Sequence, residues 1–426
     1  MQQTIPFGDL GLDVRRLANG LTVLLEPLPY LRSVTAGLWI QAGSACERER
    51  QGGISHLLEH LFFKGTESRT ARQLVEAVER YGGQLNGFTS RDYTCLYAKT
   101  LDTHAATGLE ILADIALRSR FCDFDKERNV VLEEIASVED VPEEYAHDLF
   151  ALRLWPDHAL GRPVTGTDES VSAITLDDVR AFYDTWYRAG NMILAVVGSF
   201  EPDAVFERIE AEFGPLPAGP AVAPGDAPEF QPPRFGAGSE AVHRDIAQTH
   251  LCLGFPGPTP TEPRRYVYDV LNSALGGGAT SRLFDRIRES EGLAYSIYSM
   301  ISCYRRSGYL GMYAAMAPEN LERAAGLAFD EMRRFCDEPM AADELALNRE
   351  QLKGGLLMSL ERTFNRMVRL AKSMMYHGRI VPIEEVVAGI DAVTEAEVQQ
   401  LACEAFTAEG CALVTLGPGA PLEIAL

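Results

Sequence analysis

The 426-residue sequence is poor in basic residues: 39 lysines and arginines stand against 61 aspartates and glutamates, for a formal net charge of −22 at pH 7. Binding to DNA or RNA depends on clustered Lys and Arg side chains. The sequence also has no apolar run that approaches 18 residues, the minimum for a helix that crosses a membrane. We therefore expect neither a nucleic-acid partner nor a membrane span.

The eight cysteines include no C-x-x-C pair. Scattered cysteines are typical of reduced structural thiols in a cytosolic protein, although Cys46 and Cys252 could still meet in the folded chain. The first 17 residues, MQQTIPFGDLGLDVRRL, lack both the basic segment and the apolar segment of a secretory signal. We therefore predict no secretory signal and a cytoplasmic location.

A stretch dense in Pro, Gly and Ala divides the chain into two parts of comparable length. It covers residues 214–238, GPLPAGPAVAPGDAPEFQPPRFGAG, and is typical of an extended linker. The predicted domains are 1–213, the linker 214–238, and 239–426. The order of predicted elements in the second part repeats that of the first. Because strands are grouped in hairpins and helices in runs, the pattern predicts an α+β fold of two similar halves, each a mostly antiparallel sheet covered by helices.

Local sequence patterns predict the positions of the strands and helices. Asn19-Gly20 between two alternating runs predicts a hairpin, since both residues tolerate positive φ. The first half is predicted to contain strands at 33–42 and on both sides of 90–92, helices at about 51–64, 70–81, 103–119, 123–140, 142–154, 175–188 and 202–213, and a strand at NMILAVVGSF. The second half is predicted to contain a strand at THLCLGFPG, helices at 263–275 and 281–289, strands at 294–304 and 308–316, long helices to about 404 and a strand at CALVTLG.

The stretch GGISHLLEHLFFKGT, residues 52–66, places polar groups within an apolar helical pattern. Residues four apart share one face of a helix, so His56 and His60 project together, with Glu59 beside His60. Two imidazoles at this spacing can bind one tetrahedral metal ion, and the glutamate is placed to act on a metal-bound water. This is the inverted H-x-x-E-H pattern of zinc peptidases. The alternative is a pair of hydrogen-bonded core histidines.

A catalytic zinc needs a third protein ligand and one open position. In the predicted helix DKERNVVLEEIASVED, one stripe runs through Glu127, Val131, Glu134 and Val138. Glu134 lies within this stripe, whereas Glu133 lies about 100° away and is predicted to be solvated. Glu134 is therefore the candidate third ligand. Glu127 could support a histidine through its free ring nitrogen, or it could be a solvated carboxylate at the start of the helix.

The N-terminal half resembles the pitrilysin family of zinc peptidases, in the branch of the mitochondrial processing peptidases. The matching stretches are GGISHLLEHLFFKGT, YGGQLNGFTSRDYTCLY and ERNVVLEEIASVED. This M16-type resemblance implies a LuxS/MPP-like metallohydrolase fold with one Zn²⁺ per chain. It implies zinc bound by His56, His60 and Glu134, Glu59 as general base, and Glu127 in support.

In the second half, RIRESEGLAYSI resembles the family's substrate-contacting segment. The resemblance implies that Arg288 binds the peptide backbone and that Tyr295 donates a hydrogen bond to the oxyanion. It also implies substrate binding along the strand that contains Asn86. Simpler roles stay open, namely a surface ion pair for Arg288, sheet packing for Tyr295 and a turn for Asn86. The second half has no H-x-x-E-H, as expected of a non-catalytic half of this family.

These features predict a zinc-dependent endopeptidase that hydrolyses unfolded peptides or presequence-like segments, with Glu59 activating a zinc-bound water. Because the H-x-x-E-H motif and the Arg288/Tyr295 segment occupy one chain, the resemblance favours a self-sufficient homodimer. Two alternatives stay open: a non-catalytic assembly or scaffold subunit of the same family, and a dedicated maturase of one small peptide.

Overall fold

The computed structural model describes residues 11–219, 231–418 and 422. Residues 1–10, within the stretch used for the signal prediction, and residues 220–230, the centre of the predicted linker, lie outside the described residues. The chain forms two compact units. Unit 1 comprises Met1–Ile135, Pro163–Phe230 and Ser359–Glu384, and unit 2 comprises Ala136–Arg162, Gln231–Met358 and Glu385–Leu426.

The strands belong to two sheets. Their bounds are β1 Asp13–Arg16, β2 Thr22–Pro27, β3 Ser33–Ile40, β4 Gln84–Thr89, β5 Thr94–Leu101, β6 Met192–Gly198, β7 Gly238–His243, β8 Thr249–Pro256, β9 Ala294–Tyr304, β10 Ser307–Met316 and β11 Ala412–Gly417. Sheet 1 has the order β1-β2-β6-β3-β5-β4, and sheet 2 has the order β7-β11-β8-β10-β9. Only the pairs β2/β6 and β7/β11 are parallel among the described strands. The predicted α+β class with mostly antiparallel sheets is therefore confirmed.

Fourteen α-helices lie in the described part of the chain. They are α1 Ile54–Phe62, α2 Ala71–Glu79, α3 Ala105–Arg118, α4 Phe124–Glu139, α5 Pro142–Leu154, α6 Asp168–Ala173, α7 Leu176–Trp186, α8 Pro202–Phe213, α9 Arg265–Gly276, α10 Leu321–Asp337, α11 Ala342–Ser359, α12 Thr363–His377, α13 Ile383–Ala392 and α14 Glu395–Ala405. A π-helical segment covers Phe284–Ser290. No helix of the described residues combines the length and apolar character that crossing a membrane requires.

Sheet 1 has an apolar core on each face. One face packs against α1, α3 and α7, which supply Leu58, Ile111 and Val179 among others. The other face packs against α12, whose buried side chains include Met367 and Leu370. Because both faces are covered, central strands such as β3 and β6 are apolar along nearly their whole length. Edge strand β4 is less buried and remains more polar.

Two helices pack on the sheet of the other half of the sequence. Helix α12, from the C-terminal half, covers sheet 1, and α5, from the N-terminal half, packs on β8 and β11 of sheet 2. Glycines permit both approaches. A Cβ at Gly37 of β3 would lie 2.4 Å from Met367 Sδ, and a Cβ at Gly254 of β8 would lie 2.7 Å from Phe150 Cζ. The predicted domain boundaries at residues 213 and 238 stay a prediction. The packing of α5 and α12 on the sheet of the opposite sequence half is a feature that the sequence analysis did not include.

Candidate metal centre

Helix α1 carries the H-x-x-E-H motif and is held at its N-terminus by the carboxylate of Glu47, which lies in the preceding loop. Gly53 precedes the helix at φ +89° and offers no side chain for capping. Glu47 instead accepts hydrogen bonds of 2.8 Å from the backbone N–H groups of Gly53 and Ser55. A negative charge at this end also complements the helix dipole. The cap and the buried Leu57 and Leu61 fix the orientation of the motif.

Helix α4 supplies the carboxylates opposite α1. Its buried stripe contains Glu127, Val131 and Ile135, which anchor the helix in the core. Glu134 is half-buried beside this stripe, and Glu133 is exposed as predicted. The packing of this stripe therefore turns Glu127, and Glu134 beside it, toward the H-x-x-E-H motif of α1.

Three candidate ligand atoms converge between α1 and α4. Glu134 Oε2 lies 3.6 Å from His56 Nε2 and 3.5 Å from His60 Nε2. Two atoms bound tetrahedrally at about 2.0–2.1 Å from zinc lie roughly 3.4 Å apart, so these separations suit a shared zinc ion. In the part of the chain that the structure describes, no other group of three or more His, Cys, Asp or Glu ligands has comparable spacing.

The charged groups around His60 also fit a cation. Glu127 Oε2 lies 3.5 Å from His60 Nδ1, and a proton on Nδ1 would leave a lone pair on Nε2 for a metal ion. That lone pair faces the Glu134 carboxylate oxygen, an arrangement that is repulsive unless a cation lies between them. Burial, with a smaller contribution from His60, lowers the pKa of His56 to about 4. His56 is therefore neutral near pH 7, as a metal ligand must be.

Glu59 lies on α1 with its side chain almost buried, 9% exposed. The Thr89 hydroxyl of β4 donates a 2.6 Å hydrogen bond to Glu59 Oε2. Burial raises the pKa of Glu59, and the hydrogen bond from Thr89 opposes that rise. One carboxylate oxygen is thus fixed by Thr89, and the carboxylate is a better proton acceptor than an exposed one.

Strand β4 passes close to Glu59. A Cβ at Gly87 would lie 3.0 Å from Glu59 Cγ and 3.2 Å from Oε1. Gly87 and Thr89 therefore face the metal centre. Asn86 lies on the opposite face and is exposed, with a hydrogen bond to the side chain of Tyr97 on β5. The substrate-binding role of Asn86 stays a prediction, and its side chain does not belong to the group around Glu59.

Arg288 and Tyr295 lie together on unit 2, at the π-helical segment and the start of β9. The guanidinium carbon of Arg288 lies 5.4 Å from the Tyr295 ring centroid and 4.7 Å from that of Phe284. Tyr295 is 78% exposed, so its ring does not pack into the sheet. The two residues are neighbours, and their roles toward a peptide stay predictions.

Three residues at the centre were not identified from the sequence. Glu47 caps α1, Thr89 holds Glu59, and Lys64 Nζ lies 2.9 Å from Glu127 Oε2. Lys64 follows His60 by one helical turn, and this i+4 spacing is a signal that could have identified it. Thr89 acts on a residue 30 positions away and Glu47 acts on Gly53, six positions away; nothing in their local pattern indicates these partners.

Comparison with known proteins agrees with this geometry. The family model described as Insulinase (Peptidase family M16) matches residues 22–168, which include the whole candidate centre. The model described as Peptidase M16 inactive domain matches residues 173–352. The first matched range contains the H-x-x-E-H motif, and the second does not.

Relatives from several bacteria match almost the full chain. The zinc protease YmxG of Bacillus subtilis is 38% identical over 402 residues, which is 94% of this chain and 97% of the relative. A zinc protease of Streptomyces coelicolor is 38% identical over 410 residues, or 94% and 89% of the two chains.

Solved structures share the fold. A protease from Helicobacter pylori superposes with a TM-score of 0.88 at 22% identity, covering 96% of this chain and 99% of the other. A chain of complex III₂ from Candida albicans superposes with a TM-score of 0.82 at 20% identity, covering 96% of both chains. Full-length identity to the bacterial relatives, together with the two family matches, shows that this chain belongs to Peptidase family M16, the insulinase family.

Proposed function

We propose that this chain is a zinc-dependent endopeptidase that hydrolyses unfolded peptides or presequence-like segments, with one zinc per chain. The convergence of His56 Nε2, His60 Nε2 and Glu134 Oε2 supports this proposal most strongly. A set of two histidines and one glutamate leaves the open coordination position that a catalytic zinc requires. Membership of a peptidase family directs the proposal toward amide hydrolysis.

Zinc bound by these three residues would supply a Lewis acid that polarises the scissile carbonyl and makes water more acidic. Glu59 accepts a proton from the attacking water as the new C–O bond forms. Glu59 then delivers that proton to the leaving nitrogen as the C–N bond breaks. The raised pKa of Glu59 suits both steps, because the group must gain and lose a proton in one cycle.

Edge strand β4 supports a preference for extended peptides. It is the last strand of sheet 1, so one row of its backbone groups is not paired within that sheet. A peptide that adds to such an edge forms backbone hydrogen bonds that a folded protein cannot offer. Gly87 keeps this strand close to Glu59, which would bring a bound peptide near the carboxylate. Asn86 lies on the same strand, consistent with its proposed contact with substrate.

The test is metal analysis and peptide digestion with the full-length chain and Glu59→Gln. The wild-type chain should contain about one zinc and lose hydrolysis when a chelator removes it. Glu59→Gln should keep the zinc and lower kcat by roughly 10²- to 10⁴-fold, because it removes the general base. Zinc-free, inactive wild-type protein would indicate a scaffold subunit, and cleavage of a single peptide in a library would indicate a maturase.

We also propose a homodimer, since the motif and the Arg288/Tyr295 segment occupy one chain. Sedimentation equilibrium should give about twice the chain mass of 46.8 kDa, with peptide hydrolysis in the same fraction. An active species at the mass of one chain would contradict the dimer while leaving the zinc chemistry intact.

A further inference from the structure

The carboxylate of Glu127 is a buried charge beside the candidate metal centre. Its side chain is 1% exposed, and its Oε2 faces two groups, Lys64 Nζ at 2.9 Å and His60 Nδ1 at 3.5 Å. An ionised carboxylate at such a site requires a compensating charge, because loss of its hydration costs several kcal/mol. Lys64 supplies that charge, and its own side chain is only 30% exposed.

The fold fixes Lys64 on the histidine side of α1. After the helix ends at Phe62, the backbone N–H groups of Phe63 and Lys64 bond to the carbonyls of His60 and Leu61, both at 3.2 Å. Gly65 follows at φ +118°, a conformation that other residues rarely adopt. The chain therefore turns away only after Lys64, one helical turn beyond His60.

We propose that Lys64 is a positioning residue for the zinc site, acting through Glu127 on His60. The ammonium group contacts Glu127 Oε2 at 2.9 Å and holds it toward His60 Nδ1. The carboxylate in turn holds the proton on Nδ1, so that the Nε2 lone pair is directed toward Glu134 Oε2, where the metal would lie. This inference rests on the proposed zinc function.

Two effects of Lys64 on zinc binding have opposite signs. A positive charge near the site repels a divalent cation, so removing it for electrostatic reasons alone would tighten zinc binding. Removing a residue that orients His60 would weaken zinc binding, by about 10- to 100-fold for outer partners of metal ligands. Because Lys64 contacts Glu127 directly at a buried position, we expect the orienting effect to dominate.

The experiment measures the zinc dissociation constant of the full-length, metal-stripped chain by competition with a chromophoric chelator. Lys64→Met should weaken zinc binding 10- to 100-fold, and Lys64→Arg, which keeps the charge, should stay within a few-fold of wild type. The matched control is Lys126→Met. Lys126 is exposed and adjacent to Glu127 in sequence, so its loss removes the same charge without the contact and should change little.

A double-mutant cycle with Glu127→Gln tests the route of action. If Lys64 acts through Glu127, the double variant should bind zinc no more weakly than Glu127→Gln alone. The double variant also removes both charges, so it keeps the test usable if Lys64→Met alone folds poorly. Unchanged or tighter zinc binding by Lys64→Met, or fully additive losses in the cycle, would overturn the role of Lys64. Failure of the wild-type chain to bind zinc would instead remove the proposed function.

Discussion

Glu59 is held by one side-chain hydrogen bond, and the contribution of that bond can be measured. The Thr89 hydroxyl reaches Glu59 Oε2 from β4 at 2.6 Å, while the rest of the carboxylate is enclosed by α1 and Gly87. Without this bond, the carboxylate loses its only side-chain donor among the described residues and can rotate. General-base catalysis depends on the position of the accepting oxygen to within a fraction of an ångström.

Thr89→Val, which keeps the shape and removes the hydroxyl, should therefore lower kcat for peptide hydrolysis by roughly 10- to 100-fold. Zinc content and KM should change little, because the Thr89 side chain points to Glu59 and contacts neither the three candidate zinc ligands nor the strand edge proposed to bind peptide. Thr89→Ser retains the donor and serves as the control. Full activity of Thr89→Val would show that burial alone positions Glu59.

At the residue scale, helical spacing predicted the positions that converge. The four-residue interval brought His56 and His60 together, and the predicted stripe of α4 separated Glu134 from the exposed Glu133, although Ile135 rather than Glu134 continues the buried stripe. Thr89 could not be predicted in this way, because a threonine in a strand is ordinary and its contact depends on how β4 passes α1. Glu47 has the same character, since a helix that starts at a glycine gives no local sign of its cap.

At the scale of elements, helix ends were predicted best where the cap is local. Helix α2 begins at a capping box of Thr70 and Gln73, and the predicted start lies within one residue of the observed start. Helix α1 was predicted to span 51–64 but covers Ile54–Phe62. The two glycines before it, with Gly53 at positive φ, delay its start. The short helix predicted at 281–289 is instead π-helical over Phe284–Ser290.

Helix α5 packs on sheet 2 through a polar network as well as apolar contacts. His147 Nε2 lies 2.9 Å from the Tyr298 hydroxyl, which donates to Glu143 Oε1 at 2.9 Å. Tyr313 stacks on His147 from β10. Burial lowers the pKa of His147, and the charge of Glu143 opposes this only partly. Of the other titratable groups in this layer, His250 lies on β8 with its own pKa lowered by burial, and Cys252 is buried beside it.

This lowered pKa predicts loss of stability in mild acid. The unfolded chain binds a proton at His147 near the ordinary pKa of about 6.5, whereas the folded chain binds it only at lower pH. The contribution is therefore complete above about pH 6.5 and falls as the pH decreases below it. Urea unfolding at pH 7.5 and 5.5 should show a smaller acid loss for His147→Gln than for wild type. The exposed His243 provides the control variant His243→Gln, and an acid loss unchanged in His147→Gln would contradict the prediction.

At the scale of the whole molecule, the duplicated order of elements was readable from the sequence, but the exchange of α5 and α12 was not. Periodicity shows that a helix has an apolar face, and it does not show which sheet covers that face. Strand β3 is apolar along both faces. This indicates that both faces are covered, but it does not indicate which helix covers the second face. The structure explains the glycines at 37 and 254, because the side chains of Met367 and Phe150 pack where a Cβ would lie.

The exchange predicts that a cut in the linker will not separate the halves. A specific protease site introduced within 220–230 would leave α5 on the N-terminal fragment and α12 on the C-terminal fragment. Separation would then expose the α12 side chains Met367, Leu370 and Met375 and the sheet residue Trp39, all buried in one core. Each large apolar side chain loses about 1.5–3 kcal/mol when it is exposed, and the face of sheet 2 under α5 would add a further cost.

After cleavage, size-exclusion chromatography without denaturant should therefore show both fragments in one peak at the position of the uncut protein, with zinc retained. In denaturant the same sample should resolve into two fragments, which confirms that the cut is complete. The N-terminal fragment expressed alone should aggregate, because one face of sheet 1 lacks its cover. Two separate, soluble fragments in native buffer would mean that α12 contributes little to unit 1, and the covering of both faces of sheet 1 would then need another explanation.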